Sequence, residues 1–125
     1  MLRGLRVLAL ASLSTVSACS HSGGGEVRPT EIPVSVEVTN YHALPMEVSA
    51  FASGITQRLG TVHPGMASHF NVPANLVGNG SVKFEARPSG GGQPFRSGEI
   101  LLAPGAVIDF IIQAQLFNST VTRRP

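Results

Sequence analysis

The sequence predicts an all-β domain over residues 31–125, a sandwich of seven or eight short strands. Three observations carry that expectation. Apolar residues recur at every second position from Ile32 onward. Pairs such as Ser53-Gly54, Pro64-Gly65 and Pro104-Gly105 break the alternation at roughly ten-residue intervals. Nowhere do apolar residues take the three-and-four spacing of a helix.

The first strand is IPVSVEVTN, with Ile32, Val34, Val36 and Val38 on one face and Ser35, Glu37 and Thr39 on the other. Pro33 stands near its start, where a missing amide donor is tolerated. Asn40-Tyr41-His42-Ala43 reads as a turn. LPMEVSAFA then alternates again, turning Leu44, Met46, Val48 and Ala50 inward, and Ser53-Gly54 ends it. ITQRLGTVH is a third strand, stopped by Pro64-Gly65, a pair suited to a type II turn.

MASHFNVP places Met66, Ser68, Phe70 and Val72 inward and His69 and Asn71 in solvent. Residues 75–80 (NLVGNG) read as loop, with Leu76 and Val77 plugging one end of the core. SVKFEARP sets Val82, Phe84 and Ala86 against Ser81, Lys83, Glu85 and Arg87. The glycine tract from Ser89 to Gln93 is a loop, and residues 95–103 read as one strand. After Pro104-Gly105, AVIDFIIQAQ carries Ile108, Phe110 and Ile112 on one face and Val107 and Ile111 on the other, so it is expected to be central and covered on both sides. A short last strand runs from Asn118 to Arg123. Phe70, Phe84 and Phe110 are the expected mainstays of the core.

The first thirty residues follow a different pattern. Arg3 and Arg6 precede a short apolar run, Val7 to Leu13, and small residues follow as far as Cys19. Basic, apolar and small-residue segments in that order mark a secretory signal peptide over residues 1–18. A membrane-spanning helix needs roughly 20 apolar residues. Val7 to Ala18 supplies only 12, of which three are Ser and one is Thr.

Val16-Ser17-Ala18-Cys19 resembles the lipobox of bacterial prolipoproteins, in which an aliphatic residue and two small ones precede a cysteine. The resemblance implies diacylglyceryl transfer to the Cys19 sulfur, cleavage after Ala18 and acylation of the new amino group. Leu is the commoner residue where Val16 stands. The same Val16-x-Ala18 spacing also satisfies ordinary signal cleavage, which would release a soluble chain. A buried structural thiol is the third reading, and the polar neighbours SHSGGG oppose it. Two or more acyl chains give a stable membrane anchor where one does not. Ser20, in place of an Asp after the lipidated residue, resembles the outer-membrane sorting rule of two-membrane bacteria.

Residues 19–30 then form a tether, with three consecutive glycines and a root-mean-square reach on the order of 18 Å. The domain beyond it resembles the immunoglobulin-like or transthyretin-like Greek-key sandwiches, and small β-sandwich lipoproteins of bacteria, in pattern alone. The chain has no Trp and no second Cys, so the Cys…Trp…Cys spacing of true immunoglobulin domains is missing.

Nine Lys and Arg face seven Asp and Glu, but two of the nine are Arg3 and Arg6. Removing the leader leaves 9 − 2 = 7 bases against seven acids. That neutral balance supplies no steering field for nucleic acid. His42, His63 and His69 are the candidate metal or acid–base residues, without an HxH or HExxH spacing. His63 and His69 could meet only if the strands flanking Pro64-Gly65 paired as a hairpin. Asp109, the one aspartate, is expected either as a satisfied buried carboxylate or as an edge charge. The residues therefore predict a non-enzymatic, lipid-anchored envelope protein without cofactor, binding an envelope protein or surface polymer. A metal-binding protein or metal-dependent enzyme using His63 and His69 is the alternative. Tyr41, Phe51 and Phe117 are the candidate exposed aromatics for binding a sugar polymer.

Overall fold

A computed structural model describes residues 32–78 and 80–125. The leader, Cys19 and the tether lie outside the described residues. Among the described residues nine strands follow in chain order. They are β1 (Val34–Asn40), β2 (Met46–Ala52), β3 (Ile55–Val62), β4 (Ala67–Val72), β5 (Ser81–Pro88), β6 (Phe95–Arg96), β7 (Ile100–Leu101), β8 (Val107–Ile112) and β9 (Thr120–Arg123). They form two sheets, β4-β1-β8-β9 and β3-β2-β5-β6, with β7 also paired to β5. All the neighbouring pairs are antiparallel except β1 with β8, which is parallel.

The core lies between the sheets because the period-two residues of the long strands all turn the same way. Val34, Val36 and Val38 of β1 and Ile108, Phe110 and Ile112 of β8 meet Met46, Val48 and Ala50 of β2 and Val82, Phe84 and Ala86 of β5, each essentially inaccessible to water. Phe110 reaches across the layer, its ring centre 6.4 Å from that of Phe84 and 5.8 Å from that of Phe95. The tilted rings match the preferred geometry of aromatic pairs.

The turn residues act as their chemistry requires. Ser53 and Gly54 both have positive φ, 48° and 77°, which gives β2 and β3 a tight two-residue hairpin. In both Pro-Gly pairs the glycine has positive φ and the turn closes by a hydrogen bond, Met66 N–H to His63 O at 3.1 Å and Ala106 N–H to Ala103 O at 3.0 Å. The Pro64-Gly65 turn, however, leads from one sheet to the other and makes no hairpin. β4 pairs with β1, so Phe70 lies opposite Val36 and His69 opposite Glu37.

That crossing explains Gly60. A Cβ added there would lie 2.6 Å from Cε1 of Phe70, because the Phe70 ring of β4 closes over the end of β3. β3 also carries a bulge: Val48 pairs with Gly60 and Ser49 with Arg58, leaving Leu59 as the extra residue. Gly60→Ala is expected to cost about 1–3 kcal/mol through overpacking. Urea denaturation of Gly60→Ala and of the same change in a Phe70→Leu background checks this. The cost should shrink in the second background.

Several expectations are corrected. Residues 74–77 form a single helical turn, α1 (Ala74–Val77), where the sequence suggested loop; Leu76 is nonetheless buried and Val77 packs on the core as a plug. Residues 95–103 are not one strand. Between β6 and β7 the ladder is broken, and the Ser97 hydroxyl accepts the Phe84 N–H at 2.8 Å in place of a backbone carbonyl. A 3-10 turn at Leu116–Asn118 delays the last strand to Thr120. β8 is central in its sheet, but Val107 and Ile111 on its outer face are only half-buried. Ile32, Leu44 and Met66, expected inward, are exposed. Each stands two residues before the first inward residue of its strand, where the partner sheet has already ended.

Strand directions define two ends. The chain enters at Ile32 beside the β2–β3 turn, α1 and the Pro104-Gly105 turn. β1 runs from there for seven residues, about 23 Å at 3.3 Å per residue, to the far end. The far end collects the segments 41–45, 63–66, 89–94 and 113–119.

Candidate functional site

The far end is built around Asn40. Its amide group donates to the Leu44 carbonyl and the Val62 carbonyl, both at 2.9 Å, and its Oδ1 accepts the His42 N–H at 2.8 Å. Its own backbone N–H donates to Met66 O at 3.0 Å, and its carbonyl accepts the Gly65 N–H at 2.7 Å. The neighbouring Tyr41 N–H donates to Ile112 O at 2.8 Å. One fully buried side chain thus ties the ends of β1 and β3 to both adjoining loops. Such a satisfied network in a low-dielectric site rigidifies what surrounds it. On the third loop the Ser119 hydroxyl accepts the Gln113 N–H at 3.0 Å, and on the fourth Ser89 N–H reaches Pro45 O at 3.0 Å.

These fastened loops present apolar side chains to water. Tyr41 is 60% exposed, Leu44 44%, Met66 58% and Phe117 78%. Ile32, Ile55 and Leu101 are exposed at the opposite end, and single exposed apolar residues are ordinary; the far end differs in carrying both mostly exposed aromatics, Tyr41 and Phe117. Of the three aromatics named from sequence, Tyr41 and Phe117 are at this end. Phe51 is not: it is half-buried on the outer face of the β3-β2-β5-β6 sheet.

The predicted chemical residues are not drawn together. His63 and His69 are both exposed, one on the corner after β3 and the other on the outer face of β4. The hairpin that would have paired them does not form, since their strands belong to different sheets. Among the described residues no group of three or more His, Cys, Asp and Glu side chains is placed to hold a metal ion. His42 accepts the Leu44 N–H on its Nδ1 at 3.1 Å, a local turn contact.

Asp109 is neither buried nor on an edge. It sits on the outer face of central β8 directly beside Glu37 of β1, an arrangement that like charges oppose. Arg124 resolves the conflict. Its Nη2 lies 2.5 Å from Asp109 Oδ1 and 2.8 Å from Glu37 Oε2, and its Nε lies 3.1 Å from Asp109 Oδ2. Those hydrogen bonds, to Asp109 first and Glu37 second, hold the guanidinium protonated even more firmly than an ordinary arginine. The Arg123-Arg124 pair therefore includes a clamp across two strands.

Two further residues were missed by sequence reasoning. Glu85 alternates with core residues and stands on the opposite face of its strand, yet it is only 5% exposed. Arg96 donates from Nε to its Oε2 at 2.7 Å, and Arg87 donates from Nε and Nη2 to its Oε1 at 3.3 and 3.2 Å. Two arginines cover a carboxylate on the middle strand of a sheet, and the available signal was the bases flanking it at 87 and 96. Asn40 gave none, since asparagine at a strand end reads equally well as a turn.

No family model matches the chain, and no curated protein matches it. Among solved structures it is similar in outline to a protein from Eubacterium rectale determined by NMR. The two are 11% identical, the alignment covers 76% of this chain and 91% of that one, and the TM-score is 0.49.

Proposed function

We propose that the chain is a lipid-anchored envelope protein whose domain is a non-enzymatic Greek-key sandwich that binds an envelope protein or surface polymer through its far end. In this reading residues 1–18 are the signal peptide, Cys19 carries the acyl anchor, and residues 19–30 tether residues 31–125 to the outer membrane. The observation that carries the binding reading is the exposure of Tyr41, Leu44, Met66 and Phe117 on loops fastened by Asn40. The chain enters the domain at Ile32, at the opposite end, so an anchor there leaves the far end facing away from the bilayer. The β2–β3 hairpin followed by β4, which returns to the other sheet and pairs with β1, supports the Greek-key connectivity.

The test has two parts. Labelled palmitate supplied to a bacterial host should enter the wild-type chain and not Cys19→Ser, and intact-mass analysis should give a diacylated or triacylated N-terminus at Cys19. An unacylated first residue would remove the anchor. A photo-crosslinker at Tyr41 or Phe117 should then give a discrete adduct in the native membrane, and one at Asn71, on the outer face of β4, should not. Equal adducts from all three positions, or none from the far end, would remove the binding reading.

A further inference from the structure

We propose that the outer face of the β3-β2-β5-β6 sheet holds a cleft for a small anionic ligand, a phosphate group carried on a ring. The cleft is about 350 Å3 and is lined by Phe51, Lys83 and Arg96, with Phe84, whose ring lies on the core side of β5, at its floor, within the size range of small-molecule sites. Its electrostatics follow from how Glu85 is shared. That buried carboxylate takes the side edge of Arg96 through Nε, at 2.7 Å. The terminal nitrogens of Arg96 have no partner among the described residues, so the end-on fork of the guanidinium remains for a second pair of oxygens. Lys83 forms no ion pair among the described residues. Arg87 is also on Glu85, and Lys83 stands on the same face of β5, so 3 − 1 = 2 positive charges remain before the neighbouring acids are counted.

The nearby acids do not cancel that surplus. Glu47 is paired with Arg58 at 2.6 Å, and Glu99, which lines the adjoining cleft together with Phe51 and Lys83, lowers the surplus to 2 − 1 = 1 positive charge. Phe51 lies directly opposite Lys83 across the β2–β5 pair. The cleft thus offers a half-buried aromatic beside two available cationic groups. A bare anion would leave the ring of Phe51 uncovered, and a neutral ring would leave the charges unanswered. An anionic group joined to a ring satisfies both.

The experiment titrates the full-length chain, followed by backbone amide NMR shifts, with phenyl phosphate, inorganic phosphate, benzyl alcohol and phosphatidylglycerol vesicles in turn. Phenyl phosphate should shift Phe51, Lys83 and Arg96 saturably, with inorganic phosphate about tenfold weaker and benzyl alcohol weaker still. Lys83→Gln should weaken phenyl phosphate about tenfold without moving the melting temperature, because Lys83 supports no other residue. Shifts centred on Arg123 and Arg124, an unaffected Lys83→Gln, or equal binding of benzyl alcohol would overturn the cleft. Vesicle-induced shifts at Lys83 and Arg96 with no response to phenyl phosphate would overturn it too, assigning the face to a lipid surface. None of these outcomes depends on Cys19 or on the far end.

Discussion

Phe110→Ala should lower the stability of the domain by about 3–5 kcal/mol, the range for emptying a fully buried aromatic position. Phe110 stands on the central strand of one sheet and packs against Phe84 and Phe95 from the other, with no access to water. Removing its ring opens a void that neither partner can fill, because both are fixed by a backbone paired into the opposite sheet. A domain of this length has about 5–14 kcal/mol in total, so the variant is expected near the limit of folding. Urea denaturation with Phe117→Ala as the control checks it. Phe117 is mostly exposed, and its loss should stay within about 0.5 kcal/mol. A Phe110→Ala midpoint equal to wild type would contradict the packing described.

The second large effect is expected at Asn40. Asn40→Ala orphans two carbonyls and one N–H at the far end. Unpaired buried groups cost about 1–3 kcal/mol each, and partial access of the loop to water limits the total to about 3 kcal/mol. Asn40→Asp preserves the shape and gives a sharper test. The new carboxylate keeps the acceptor for His42 N–H but aims oxygen at the carbonyls of Leu44 and Val62. Burial and those carbonyls disfavour the charged form, so the folded-state pKa rises above the unfolded value of about 3.9. The sign follows: below pH ~3.9 the group is protonated in both states and the charge penalty is absent. As pH climbs towards the raised value the unfolded state loses its proton first, and stability falls. Relative to wild type, Asn40→Asp should therefore be mildly destabilised near pH ~4 and worst near pH ~7. Melting curves at both pH values decide it, and a penalty independent of pH would contradict the buried geometry.

Legibility from sequence differed from one element to the next. β1, β2, β5 and β8 were plain because an alternating pattern is a local signal, and Val36, Val48, Phe84 and Phe110 are where the pattern put them. The Pro-Gly turns were equally plain, because positive φ is a property of the glycine itself. Errors gathered at strand ends. Ile32, Leu44 and Met66 continue the alternation past the point where an opposing sheet covers them, so they keep the pattern and lose the burial. The candidate site was only half visible. Tyr41 and Phe117 stood out as aromatics among polar neighbours, but Leu44 and Met66 had been assigned to the core.

From the residues alone came the β class, the inward set of side chains and the position of most turns, since each depends on neighbours within a few positions along the chain. Folding alone decided which strands became neighbours. That choice placed Phe70 over Gly60, put Glu37 beside Asp109 under Arg124, buried Glu85 beneath two arginines and closed Asn40 inside the far end. These contacts join residues distant in sequence, and their energies exist only once the sheets have paired and water has been excluded. A two-residue period carries no information about which partner a strand will meet.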